Sequence, residues 1–358
     1  MKILKRIISI NWTNVIKINL LVTLVSLILI EAIFTFTFYV RDNFFFNILR
    51  DTTNMTAETV GFRIELRHYR EYPYKAFLGW VSPDTQGEYI NVAKERRLTF
   101  NSKELISDET LHFFGGSAMW GYGVSDKSTI PSMISQNLKV KTINYGEQAY
   151  NSRQGLNSLL NNLELIVKDD TVIFYDGVND VSSNCYNYNS LNGHARELYM
   201  RNLLSGGVSS YSIYLQSSST YRFVRGLANR IFPTDAEDKK QYKNPCADPV
   251  YAEKVASFLV ANWEAAESIL NPKRIKFMCI LQPNPYTFDG SIYYSNEKIR
   301  SQIELVYPII RRKAKNLSCF YDYSSVLTQD NYVDACCHLN ELGNREVSAQ
   351  LGKDISRK

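Results

Sequence analysis

The stretch FFGGSAMWGYG, residues 113–123, sets Ser117 directly after two glycines at the end of an apolar run. A serine hydroxyl becomes a nucleophile when an imidazole takes its proton and a third group fixes the tautomer of that imidazole. Of the four histidines, His338 follows a late apolar run and has a carboxylate, Asp334, close by in the segment VDACCHLNELGN. His68 precedes the regular part of the chain, His112 falls inside an apolar run, and His194 lies in a long irregular stretch. Acyl chemistry also develops an oxyanion, which needs donors aimed at it. The backbone N–H of Ser117, the N–H of Gly146 in TINYG and the side-chain amide of Asn179 in DGVND are three such donors at the ends of successive runs. Each also has a structural reading, Gly146 as a turn glycine and Asn179 as a turn former or helix cap; their joint placement is what points to chemistry. Trp120 and Tyr122 are candidates for lining a substrate groove, with core packing as the other reading.

Two other uses of a Gly-rich turn fail on residue type. A phosphate loop of the G-x-x-x-x-G-K-[ST] kind matches at Gly116 and Gly121 but meets Tyr122 where its lysine belongs. The dinucleotide pattern G-x-G-x-x-G begins at Gly121 and Gly123 and meets Asp126 in place of the third glycine. A G-x-S-x-G elbow is also absent here, since Met119 stands where its second glycine would be.

Something must hold these residues together. From residue 109 onward short apolar runs (111–116, 142–146, 171–177, 274–281 and 317–324) alternate with helix-length segments near 129–138, 153–167, 249–270, 294–315 and 343–356. Strand and helix in strict alternation predict right-handed βαβ units and a mostly parallel five-stranded sheet, hence a three-layer α/β/α sandwich. In such sheets ligands bind beyond the carboxyl ends of the strands, where Ser117, Gly146, Asn179 and the Asp334–His338 segment all fall. Residues 181–247 are far too long for an ordinary connection and read as an insertion, a lid or a substrate wall.

The N-terminus has a different character. Ile18–Val40 is apolar apart from Asn19 and Glu31, long enough to span a bilayer, and it lacks the short apolar region and small-residue cleavage site of a signal peptide. Lys2, Lys5, Arg6 and Lys17 precede it with no acidic residue, which predicts a cytoplasmic N-terminus and a body outside the cytoplasmic membrane. Glu31 reads either as a partner for another membrane helix or as a residue near the outer interface. The organisation expected is a basic segment 1–17, an anchor 18–40, a juxtamembrane extension 41–108 packed on the main domain, and a domain 109–358. The net charge of +5 is almost all in the first segment, so the remainder is nearly neutral and nucleic acid is not an expected partner. Six cysteines suit an oxidising location. Cys185 and Cys246 flank the insertion and are placed to close it, and Cys279 reads as a buried thiol. With no C-x-x-C pair and no histidine cluster, no metal site is expected.

The four blocks GGSAMWG, NYGEQAY, DGVND and DACCH, in this order, resemble the SGNH or GDSL-type serine hydrolases over about residues 110–350. That resemblance implies a flavodoxin-like sandwich and ester hydrolysis through an acyl-enzyme. Ser117 would attack, His338 would serve as base and then acid, Asp334 would orient it, and no cofactor or metal would be needed. The chain departs from the family pattern in having Gly116 where an acidic residue is frequent, and in placing Asp334 four residues before His338, where the family has D-x-x-H. Location and family together imply an ester substrate of the O-acetylated glycan kind. Acyl transfer to a glycan, or a non-catalytic scaffold in polysaccharide assembly, are the alternatives.

Overall fold

The structure, a computed structural model, describes residues 12–52, 56–68, 72–186, 193–205, 215, 218–231, 244–287 and 296–357. The expected alternation becomes five parallel strands: β1 (Thr110–Gly115), β2 (Lys141–Asn144), β3 (Thr171–Asp176), β4 (Lys276–Leu281) and β5 (Phe320–Asp322). Their order in the sheet is β2-β1-β3-β4-β5, which is the flavodoxin-like winding, with its switch point between β1 and β3.

Successive strand residues face opposite ways, and both faces are apolar. Phe114, Phe174, Phe277 and Leu281 pack with residues of the helices Ser152–Asn162, Pro249–Leu270 and Glu297–Ala314. Leu111, Phe113, Ile173, Met278 and Ile280 pack with Ile130, Ile134, Val347 and Leu351 from the helices Ile130–Leu138 and Glu341–Ser356. The result is a three-layer α/β/α sandwich. Local chemistry sets the helix starts: Thr129, Asn151, Asp248 and Asn340 each accept a backbone N–H at the head of a helix. The segment expected at 153–167 is shorter than that, ending as an α-helix at Asn162 and passing into a 3-10 turn, Leu163–Leu165.

The chain divides into two compact units, one of residues 1–53 and 201–242 and one of residues 54–200 and 243–358. In the first, the helix Trp12–Thr52 contains Thr13–Val40, whose mean hydropathy of 2.3 and length are sufficient to cross a membrane. The helix runs on through residues 41–52, so the extension expected from residue 41 begins later. Glu31 has a role within its own chain that neither expectation included. Its carboxylate accepts from the Ser218 hydroxyl (2.8 Å) and from the N–H groups of Ser219 (2.6 Å) and Thr220 (3.1 Å), satisfying orphan donors at the start of the helix Ser219–Ile231. The helix Ser219–Ile231 of the insertion therefore packs with the helix Trp12–Thr52. Within 181–247, residues 187–192, 206–214, 216–217 and 232–243 lie outside the described residues, as do residues 1–11 of the basic segment.

In the second unit the extension is bound to the sheet domain by buried polar contacts. Arg97, wholly buried, donates to Asp126 Oδ1 (2.7 Å) and to the carbonyls of Trp120, Gly121, Tyr89 and Val124. Phe62, Ile90 and Val92 of the extension share one core with Trp120. Cys185 and Cys246 form a disulfide, so the insertion leaves and re-enters the domain at one place.

Candidate active site

β1 ends at Gly115, and the chain turns at once into the helical turn Ser117–Trp120. Gly121 closes that turn in the left-handed conformation (φ 93°), which costs glycine nothing and a residue with a Cβ a good deal. A Cβ on Gly116 would lie 2.2 Å from Asn179 Nδ2 and 2.9 Å from the Tyr150 carbonyl oxygen. The glycines crowd here because one must turn the chain and the other must let the Asn179 amide close over it.

Ser117 Oγ lies 2.7 Å from His338 Nε2, and His338 Nδ1 lies 2.5 Å from Asp334 Oδ2. Residues 221 positions apart in sequence are thus in hydrogen-bond contact. The turn bearing His338 sits beyond β5, and it is closed at its base by the Val333 N–H to His338 carbonyl bond (2.9 Å). The second oxygen of Asp334 accepts from the N–H groups of Cys336 (2.9 Å), Cys337 (3.3 Å) and His338 (3.4 Å). The residue added to the D-x-x-H spacing is absorbed by this wrapped turn, and the carboxylate still reaches the imidazole.

Burial opposes charge on the His338 imidazole. The hydrogen bond its Nδ1–H donates to Asp334, the neighbouring Cys336 and the Asp334 charge outweigh it, and they lift the group above its ordinary value, with Arg63 working in the opposite sense. For Asp334, burial raises the pKa, but the hydrogen bond and charge of His338 and the N–H donors hold it below the usual carboxylate range. Ser117 is nearly buried, and Tyr122 lies across the imidazole with ring centroids 4.1 Å apart.

The three expected oxyanion donors are arranged less uniformly. Ser117 is the first residue of its helical turn, so its N–H has no acceptor within the helix. Asn179 donates one amide hydrogen to the Tyr150 carbonyl (2.8 Å), and a primary amide carries two. Gly146 does not fit the expectation: its N–H donates to Asn144 Oδ1 (2.9 Å). Its lack of a side chain serves close packing, since a Cβ would come within 2.6 Å of the Trp120 nitrogen. Trp120 is likewise corrected. Its side chain is fully buried against Phe62 and under the Arg97 guanidinium, because the turn that lifts Ser117 outward points Trp120 into the core. Of the two aromatics, Tyr122 is the one beside the site.

Three contributors were not singled out from sequence. Asn144 donates to the Met119 carbonyl (3.1 Å) beneath the serine turn. Tyr286 donates its hydroxyl to the Ala335 carbonyl in the histidine turn. Arg63 reaches the Val333 carbonyl (3.4 Å). Asn144 lies in a run already marked, at the strand end where polar residues serve sites; the other two carry no local signal. His112, by contrast, is a buried strand residue paired with Asp170 (3.0 Å). Cys336, Cys337 and His338 place ligand-type atoms within 4.8 Å of one another. Both ring nitrogens of His338 are already engaged, so a cation there would have to displace Ser117 or Asp334.

A flavodoxin-like sheet carrying serine, imidazole and carboxylate in hydrogen-bonded series at its carboxyl edge defines the class: an α/β domain with the geometry of a nucleophilic relay. No family model matches the chain, and no curated protein matches it. Among solved structures it is similar to a G-D-S-L family lipolytic protein from Veillonella parvula (12% identity, TM-score 0.42, covering 70% of this chain and 100% of that one). It is also similar to the aryl esterase of M. smegmatis (15%, 0.40, 70% and 99%) and to Est24, a carbohydrate acetylesterase from Sinorhizobium meliloti (11%, 0.39, 70% and 99%). Likeness at this level assigns neither activity nor substrate; those must come from the site.

Proposed function

We propose that this chain is a membrane-anchored serine ester hydrolase of SGNH type. The observation that carries the reading is the continuous relay Ser117 Oγ to His338 Nε2 (2.7 Å) and His338 Nδ1 to Asp334 Oδ2 (2.5 Å). In the reaction proposed, Ser117 Oγ attacks the ester carbonyl carbon while His338 Nε2 takes the hydroxyl proton. The oxyanion that forms is met by the Ser117 N–H and the free amide hydrogen of Asn179. The intermediate collapses, the C–O bond breaks, and the alcohol leaves with the proton from His338. Water then attacks the acyl-serine with His338 again as base, and the carboxylic acid departs. Asp334 holds the imidazole in one tautomer throughout and stabilises the imidazolium between steps.

The proposed substrate is an O-acetyl ester on a carbohydrate outside the cytoplasmic membrane. Supporting it are the basic residues ahead of the apolar helix, which favour an inward N-terminus, and the half-buried ring of Tyr122 beside the relay, a surface suited to a sugar face. The test uses full-length protein in detergent, a fluorophosphonate probe and a small aryl acetate. Wild type should label and hydrolyse, and Ser117→Ala should do neither; absence of both from wild type overturns the reading. A glycan hydroxyl added as acceptor then separates hydrolysis from acyl transfer by whether free acetate or acetylated glycan accumulates.

A further inference from the structure

The turn that carries Asp334 and His338 holds two adjacent cysteines whose Sγ atoms lie 2.9 Å apart. Sulfurs at that separation are inside van der Waals contact, and a shift of under about an ångström brings them to the ~2.05 Å of a bond. The acyl chemistry uses neither thiol. All six cysteines of the chain fall in facing pairs: the Cys185–Cys246 disulfide, Cys279 and Cys319 with Sγ atoms 2.7 Å apart, and this pair. One pair is bonded and the other four cysteines are free thiols that face each other two by two, a placement suited to an oxidising compartment.

We propose that Cys336 and Cys337 close a vicinal disulfide that fixes the turn between Asp334 and His338. Without it the turn, one residue longer than D-x-x-H, depends on the three N–H donors to Asp334, the Val333–His338 backbone bond and the Tyr286 hydroxyl. A ring through Cys336 and Cys337 adds a covalent restraint to the backbone of two residues whose N–H groups already make two of those contacts. The turn is poised for the chemistry. Cys336 is half-buried and reachable, whereas Cys337 is buried behind it. The hydrogen bond from Cys337, then the nearby His338 against the cost of burial, favours the Cys336 thiolate.

The oxidant is a disulfide of the glutathione class. Cys336 thiolate attacks one of its sulfurs and expels one thiolate; Cys337 thiolate then attacks the Cys336 sulfur of the mixed disulfide and expels the second. The two protein thiol protons pass to the two departing thiolates. One small-molecule disulfide is thereby reduced to two thiols as one protein disulfide forms.

Bond formation stands apart from the esterase reading, and the effect on turnover rests on it, so the experiment reads the two separately. Full-length protein in detergent is reduced with dithiothreitol, freed of it, equilibrated with oxidised glutathione and alkylated. Chymotryptic cleavage after Tyr332 and Leu339 then releases residues 333–339. The expected peptide carries no alkyl group and is two hydrogens lighter than its dithiol form. Recovery with both cysteines alkylated, or with a glutathione adduct on either, overturns the proposal.

In parallel, aryl acetate hydrolysis is followed in both redox forms of the wild type and of a variant carrying Cys336→Ser and Cys337→Ser. Reduction should lower wild-type kcat by up to about 10²-fold, the scale of an ångström's misplacement of a catalytic group, and leave the variant's rate unmoved, which separates this pair from Cys185–Cys246. A wild type and variant that respond equally to reductant overturn the fixing role. If the bond forms and no form hydrolyses the ester, it is the esterase reading that fails.

Discussion

Asp334 grips His338 across three intervening residues, with Oδ2 at 2.5 Å from Nδ1 while Oδ1 gathers the N–H groups of the turn between them. The two groups shift in opposite directions, His338 upward and Asp334 downward. The raised histidine adds stability that is complete below its unfolded pKa of about 6.5 and is lost as pH rises through the higher folded value. The depressed carboxylate adds stability present above about 3.9 and lost as pH falls through its lower folded value. Catalysis needs the neutral imidazole, so the acid limb of kcat/KM should lie above about pH 6.5. Asp334→Asn removes the charge and the tautomer control. It should move that limb to lower pH and cut kcat by as much as about 10⁴-fold. A pH–rate profile of both proteins checks it, and an unmoved limb would detach Asp334 from His338.

Gly116 and Gly155 should answer alanine differently. A Cβ on Gly116 would collide with Asn179 Nδ2 at 2.2 Å, whereas one on Gly155 would meet only Phe174, at 3.7 Å. Gly116→Ala should displace the amide and lower kcat by about 10²–10³-fold, the usual cost of one oxyanion donor. Gly155→Ala, within the helix Ser152–Asn162, should stabilise by about 0.5–1 kcal/mol and leave rates alone. Paired kinetics and thermal melts distinguish the two outcomes.

Arg97 joins the extension to the serine turn from a fully buried position. Arg97→Met removes the guanidinium donor from Asp126 Oδ1 and from four carbonyls. Breaking a buried pair of this kind costs about 3–5 kcal/mol. The turn Ser117–Trp120 should loosen along with the global loss, seen as a fall in fluorophosphonate labelling at temperatures where the variant is still folded.

Cys185 and Cys246 are 61 residues apart. On the chain-entropy account, opening a loop of that length destabilises by about 4 kcal/mol. Cys185→Ala combined with Cys246→Ala should show this in chemical denaturation and should increase proteolytic cleavage within 187–243, while relay distances in the folded population, and hence kcat, stay close to wild type.

The periodicity of the chain was enough for the sheet and its helices, because a strand buried on both faces must be continuously apolar and a capped amphipathic segment has few other options. Pro249–Leu270 is read to the residue. Ser117, His338, Asp334 and Asn179 were legible because polar residues at consecutive strand ends converge by the topology of a parallel sheet. What stayed hidden was decided by packing between residues remote in sequence. Nothing local says that the Gly146 N–H is taken by Asn144, that Trp120 turns inward beneath Arg97, or that Glu31 heads a helix nearly two hundred residues later. A backbone donor takes whatever acceptor the fold brings nearest, and a side chain takes whichever face its turn presents. Sequence therefore determined which groups reach this edge of the sheet, and tertiary structure decided which of them were left free to act.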